Sequence, residues 1–345
     1  MNTTVRFYRT PQYDSKKKPK NRPIVRLSAQ PRDRFQGRRI GSSFPIVPHE
    51  TSPIRDVSNH PLQGVLGYGN DNRQRYLEEE LDDAVVFDVN GRMVANFREA
   101  GRIARNVLTY LCDYVDEGMT TDHLDEVAYE KFVGLGAFPS LLGYKMFPKS
   151  ISTNLNEVVC GGVPDYRKLV NGDVLTMSLG CFKDGAHCDV SSTVIVGEKN
   201  IIDDVGKELL QRSRKLITTS KQALEIAIKT CNDGSCTSSI GSSIHEISDA
   251  VGYQPSRAVF GFGVGSPNYQ TLPKVNLFRT NQEFKLKSGM ILSLGPALVE
   301  GHFAVSQWDN TFTHSTIDFG LSASFKETIL ITPGNVEILT RPYDS

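Results

Sequence analysis

The chain has 345 residues, 39% hydrophobic and 23% charged, with a formal net charge of +0. That length and apolar content suffice for one large globular domain or two small ones, and no uninterrupted apolar stretch approaches the roughly 20 residues that cross a bilayer, which excludes a helical membrane protein. The neutral total conceals an uneven distribution: residues 1–40 carry twelve Lys and Arg against Asp14 and Asp33 alone, and the remainder is acidic by the same margin.

Residues 1–40 combine Pro11, Pro19, Pro23 and Pro31 with Lys16, Lys17, Lys18 and Lys20, a composition that reads as a basic disordered tail suited to phosphate backbones such as RNA. An Arg-rich, acid-poor start is compatible with organelle import, whereas prolines and lysine runs fit an amphipathic presequence badly. The compartment is left between mitochondrial and cytoplasmic. Residues 41–93 form an extended, Pro-rich lead-in with Pro45, Pro48, Pro53 and Pro61, closed by the acidic patch Glu78, Glu79, Glu80, Asp82 and Asp83. This segment is expected to wrap a domain spanning 94–345.

From Ala95 to Glu117 the apolar positions Ile103, Val107, Leu108, Leu111 and Val115 recur at helical spacing, and Gly118 follows as a stop. A second helix is expected from Thr121 as N-cap through Leu124, Val127, Ala128 and Phe132 to Gly134 and Gly136. Val174 to Phe182 and His187 to Val196 read as strands, joined by the turn residues Lys183-Asp184-Gly185-Ala186. A long helix from about Asp203 to Lys229, a shorter one from about Ser239 to Val251, and strands around Ala258, Met290 and Ile329 repeat that order. Two related halves in an α+β sandwich are therefore expected. The six cysteines, Cys112, Cys160, Cys181, Cys188, Cys231 and Cys236, contain no CxxC pair, so reduced and mostly buried thiols are the reading, with neither a zinc finger nor a disulfide scaffold.

The segments Ala137-Phe-Pro-Ser-Leu-Leu-Gly-Tyr144, Phe147-Pro-Lys-Ser150 and Asn156-Glu-Val-Val-Cys160 carry more than fold information. Together with Asn171-Gly-Asp173, Asp184-Gly185, Gly261-x-Gly-Val-Gly265, Gly289-Met290 and Leu321-Ser-Ala-x-Phe325, the pattern resembles the type I methionine aminopeptidases from about Val94 to Thr340. The resemblance implies a pita-bread fold of two pseudo-symmetric α/β halves around two divalent metal ions, which bridge a hydroxide that attacks the first peptide bond. Transferred residue by residue, the five metal-ligand positions fall on Ser178, Asp189, Phe262, Gly295 and Lys326. Only Asp189 keeps a ligand: the family's GHGIG has become Gly261-Phe262-Gly263, its TIEP has become Ser293-Leu294-Gly295-Pro296, and Lys326 replaces the bridging glutamate.

Charge gives these changes their meaning. Four carboxylates that balance two divalent ions in the family are replaced by Asp189 and Lys326, which sum to zero without metal, and uncompensated cations in a cleft cost several kcal/mol. Gly161 and Tyr269 stand where the family places two histidines near the substrate, and Ser152 and Phe312 alter the side-chain pocket. The expectation is an inactive relative that uses no cofactor and acts by binding. Non-peptidase relatives of this fold bind ribosomes, ribosomal particles or histones, so the resemblance implies a protein or ribonucleoprotein partner, with RNA contact through residues 1–40.

The alternative is an active aminopeptidase on a rearranged or single-metal site. Two rescues would serve it: a strand slip that brings Glu327 inward, which would also turn over Phe325 and every neighbour, or a new site from His187, Asp189, Glu300 and His302. His187 instead matches a non-ligand histidine of the family's hairpin, and Glu300 and His302, which follow an expected strand end, read as surface loop residues. The glycines of 261–265 lack the strand-to-helix setting of a phosphate loop and read as close backbone packing, Trp308 as a partly buried side chain, and Cys231 and Cys236 as incidental thiols. Lys326 is expected to reach Asp189 as an ion pair.

Overall fold

The computed structural model describes residues 46, 48–55, 61–62, 68 and 84–341. The basic tail 1–40 and the acidic patch at 78–83 lie outside the described residues. The first half opens with α1 (Arg92–Tyr114) and α2 (Thr121–Gly134), followed by β1 (Phe138–Pro139), β2 (Ile151–Leu155), β3 (Val158–Cys160) and the long hairpin β4 (Val174–Lys183) and β5 (Ala186–Ile195). The second half repeats the order with α3 (Asp204–Thr230), α4 (Thr237–Asp249), β6 (Gln254–Pro255), β7 (Phe260–Gly263), β8 (Thr271–Asn276) and β9 (Ile291–Leu294). It closes with β10 (Ala297–Val299), β11 (Val305–Gln307), β12 (His314–Thr316), β13 (Ser322–Ser324), β14 (Glu327–Thr332) and β15 (Asn335–Ile338).

Two apolar clusters form the core, the first also taking in Phe262, Tyr269, Ile291 and Leu330 from the second half. Helix α1 buries Phe97, Ile103, Val107, Leu108 and Leu111 on one face, and these join Met177, Leu179, Cys188 and Val190 of the hairpin in a single apolar cluster. A second cluster gathers Leu216, Leu224 and Ile228 of α3 with Ile240 and Ile244 of α4, against Leu292 and Leu294 of β9 and Ile329 and Ile331 of β14. Gly101 lets the chain end lie against α1, since a Cβ there would meet Leu339 O at 2.1 Å. The strand order β15-β14-β9-β7-β8 carries the second half. In the first, β4 pairs with β5 along its length and with β2 and β1 on its other edge.

Most expected elements appear, with local shifts. The cap of α2 is Thr120, not Thr121: its hydroxyl accepts from His123 N at 3.1 Å, while the Thr121 hydroxyl is turned to Asp165 O. The strand expected around Ala258 begins at Phe260, and that around Met290 begins at Ile291. Described parts of the lead-in do lie against the domain. Ile46 N donates to Glu157 Oε1 at 2.5 Å, Tyr166 N donates to Glu50 O at 2.9 Å, and Ser52 donates its hydroxyl to Asp122, which Lys149 also grips. Leu62 and Tyr68 are buried in the domain.

Candidate functional site

Alternation along the hairpin creates the site. Gly180 lies opposite Asp189, Ser178 opposite Ser191 and Thr176 opposite Thr193, so these side chains share one face while Met177, Leu179, Cys188 and Val190 take the other, against α1. Beside β5 the second half contributes Lys326 through an antiparallel bridge to Ser191, with both N–H···O bonds at 3.2 Å. Thr328 clamps Asp189 from the same side: Asp189 N donates to its hydroxyl at 2.8 Å, and that hydroxyl donates to Asp189 O at 2.9 Å. The two halves are thus stitched together at Asp189.

The Asp189 side chain is 2% exposed and fully engaged. Tyr269 donates its hydroxyl to Oδ1, Ser293 donates to Oδ2 at 3.2 Å, and the Lys326 ammonium stands 3.7 Å from Oδ2. The expected ion pair is present. Burial and the Asp189 charge push the Tyr269 phenol well above its ordinary range, so it remains a donor. Lys326 lies across Gly295, where a Cβ would meet Lys326 Cβ at 2.8 Å and Cγ at 2.9 Å. Phe262 is buried beside Tyr269, ring centroids 5.9 Å apart.

The remaining predicted positions are close by in the chain's fold but do different work. Gly161 has φ +67° and packs on the Phe312 backbone, whose O would be 2.0 Å from any Cβ, so an imidazole has no room there. Phe312 sits edge-on to Phe147 at 5.5 Å, and the buried Ser152 turns its hydroxyl to Asn154 Oδ1 at 3.1 Å. An aromatic group of Tyr68, Tyr144, His187 and Tyr269 backs the site, with Tyr144 and Tyr269 centroids 4.7 Å apart.

Neither rescue occurs. Glu327 points away from Asp189 into a buried pair with Arg105 at 2.7 Å and also accepts from Thr340. His187 lies on the hairpin strand β5 and is fully buried, bonded to Ser140 Oγ at 2.9 Å and Pro267 O at 2.8 Å. Glu300 is a correction to the surface reading, since its side chain is 3% exposed and held by Arg212 at 2.6 Å, whereas His302 is exposed. Gly263 packs as expected, a Cβ there meeting Leu272 O at 2.1 Å. Trp308 is half-buried and donates to Ser315 Oγ at 3.0 Å. All six cysteines are free, and burial pushes the Cys231 thiol up to about 12.

Sequence reasoning missed Ser293, Thr328, Ser191 and Tyr68. Ser191 had a signal, lying two residues past Asp189 on the same strand and hence on the same face. Ser293 and Thr328 had a comparable one, each lying two residues from a predicted position, Gly295 and Lys326, whereas Tyr68 carried none.

Residues 95–333 match the family model of metallopeptidase family M24. The chain is 32% identical over 330 residues to the mitochondrial methionine aminopeptidase 1D of Dictyostelium discoideum, covering 94% of this chain and 74% of that one. It is 30% identical over 311 residues to methionine aminopeptidase 1 of Saccharomyces cerevisiae, covering 90% and 76%. With methionine aminopeptidase 1b of Plasmodium falciparum it shares 35% identity over 297 residues, spanning 56% of that longer protein. The structure superposes on methionine aminopeptidase from Rickettsia prowazekii with a TM-score of 0.69 at 26% identity, over 75% of this chain and 100% of that one. A prolidase from Pyrococcus furiosus shares the fold, with a TM-score of 0.57 at 17% identity.

The match corrects the expectation of no cofactor, because the family is one of metallopeptidases and its cofactor is divalent metal. The side chains at the five positions do not fit the metal pair: one carboxylate remains, both of its oxygens already accept from protein donors, and a lysine occupies the space over Gly295. Among the described residues, no three His, Cys, Asp or Glu side chains are grouped to hold an ion. Fold, motif order and relatives agree, and the chain belongs to the type I methionine aminopeptidase family within metallopeptidase family M24.

Proposed function

We propose that this methionine aminopeptidase relative has lost peptide hydrolysis and acts by binding, as a pseudoenzyme engaged with nascent chains or ribonucleoprotein. The observation that carries this reading is the Lys326–Asp189 pair, with the lysine stem lying across Gly295. A cation and a closed hydrogen-bond set stand where the hydrolytic centre of an active relative would need open coordination. The excess of positive charge in residues 1–40 supports a salt-sensitive contact with RNA. Relatives named as mitochondrial, in Dictyostelium and mouse, support a mitochondrial or cytoplasmic location, and no helix among the described residues is long and apolar enough to cross a membrane.

The test is turnover of a Met-Ala peptide by the full chain after loading with Co²⁺, Mn²⁺ or Zn²⁺. The expected rate is indistinguishable from that of Asp189→Ala. The family's metal dependence favours the other reading, an active enzyme on a rearranged or single-metal site, and turnover abolished by Asp189→Ala would establish it.

A further inference from the structure

We propose that Ser52 is a phosphorylation site for a proline-directed serine/threonine kinase, and that a phosphoryl group there releases residues 48–55 from the domain. Ser52 stands in Thr51-Ser52-Pro53-Ile54-Arg55. Four serines or threonines precede a proline in the chain, Thr10, Ser52, Ser266 and Thr332, and Ser52 alone has a basic residue two positions past that proline. Proline holds the residue before it extended and brings no N–H, which suits a substrate strand laid along a kinase cleft. The arginine adds the charge by which such enzymes choose substrates.

The segment is presented for such an enzyme. Residues 48–55 lie in neither helix nor strand, and Thr51, Pro53 and Ile54 are exposed, Ile54 at 71%. Ser52 itself is half-buried, with its hydroxyl turned inward. Among the described residues the local backbone is held lightly: Tyr166 N donates to Glu50 O at 2.9 Å, and Ser52 N donates to Asp122 Oδ1 at 3.4 Å. An irregular segment so held opens locally without global unfolding, and opening turns the hydroxyl out. Transfer then forms a bond from Oγ to the γ-phosphorus of ATP and breaks the bond to the β-phosphate oxygen; ADP leaves, and the hydroxyl proton passes to the kinase's catalytic base.

The anchor that Ser52 completes accepts a hydroxyl and rejects a phosphate. Its Oγ donates to Asp122 Oδ1 at 2.9 Å and accepts from the Lys149 ammonium, and the side chains of these partners are 12% and 3% exposed. Asp122 and Lys149 sum to zero. A phosphoserine brings about −2 at neutral pH, which sets two anions against one lysine. Arg55 does not make up the difference, because it already faces the buried Asp125 at 3.5 Å and would strand that carboxylate by leaving. Two groups at hydrogen-bond distance from Oγ also leave no room for three further oxygens. Repulsion from Asp122 and exclusion by packing thus act in the same direction, outward.

The test is incubation of the full chain with a proline-directed kinase and MgATP, beside a synthetic peptide of residues 46–60, with the modified residue mapped by mass spectrometry. Phosphate is expected on Ser52 in both, and the Ser52→Ala chain should lack it at that peptide. Hydrogen exchange at the Tyr166 amide, which reports docking through Glu50, should rise at least about tenfold on phosphorylation. In Asp122→Asn, compared with its own unmodified form, the rise should be smaller, because the repelling carboxylate is gone. Thermal melts of both variants report folding. A peptide that is modified while Ser52 in the chain is not overturns the site, as does modification of neither. A modified chain whose Tyr166 amide exchanges no faster overturns the release, and an equal rise in Asp122→Asn overturns its electrostatic cause.

Discussion

Gly295 and Lys326 are complementary as a pair. A side chain at 295 would overlap the lysine stem at 2.8 Å from its Cβ, so Gly295→Glu is expected to destabilise the protein by about 1–3 kcal/mol through overpacking. Lys326→Glu alone should also cost, since it sets a second carboxylate beside the buried Asp189. Urea unfolding of both singles and the double should show non-additivity of about 1 kcal/mol or more, as residues in contact do; additive losses would mean that the two positions are independent. Asp189→Ala is expected to cost more than Lys326→Met, because the former strands Tyr269, Ser293 and a lysine while the latter leaves Asp189 two donors. The reverse order in the same denaturation series would overturn that ranking. At this scale the Lys326–Asp189 pair was legible in the sequence. The donors that satisfy Asp189 were not, although Ser293 and Thr328 stand two residues from Gly295 and Lys326 and so share a strand with them or flank them.

Helices and the β4–β5 hairpin were readable because their apolar periods are long and unbroken, whereas β6, β10 and β13, with two or three residues each, are too short to show any period. The anchors of the lead-in were not readable. One anchor is titratable. Burial pushes the Asp122 carboxyl up, but the hydrogen bonds from Lys149 and Ser52 and the lysine charge more than offset it, leaving the group below its ordinary range. A depressed carboxylate stabilises fully above its unfolded value near about pH 4 and loses that contribution as pH falls through the lower folded value. Relative to its unprotected rate, exchange of the Ser52 amide, which donates to Asp122, should therefore stay slow from neutral pH to about pH 5 and accelerate below about pH 4. Burial raises Asp125, which faces Arg55 at 3.5 Å, so that group works in the opposite sense. The discriminating variant is Asp122→Asn: acceleration that persists in it would assign the effect elsewhere.

Two cores, one beneath each helix pair, make the molecule a joined pair of halves with Asp189 at the seam. The proposed RNA contact rests on the net positive charge of residues 1–40, which would act without regard to base sequence. Full-length protein should bind single-stranded RNA with an affinity that drops roughly three-hundredfold between about 50 and 200 mM salt if some six phosphates are engaged. Removal of residues 1–40 should abolish that slope; an unchanged slope would place the RNA contact on the domain. Where the polypeptide is cut decides what such an experiment reports. Tyr68 is 3% exposed and Leu62 1%, both seated outside the region that matches the family. Trimming to that region would unroof the hollows they fill and leave wet aromatic walls at Tyr144 and His187. Such a fragment would be adhesive, and companions captured by it alone would report a greasy scar instead of a physiological contact.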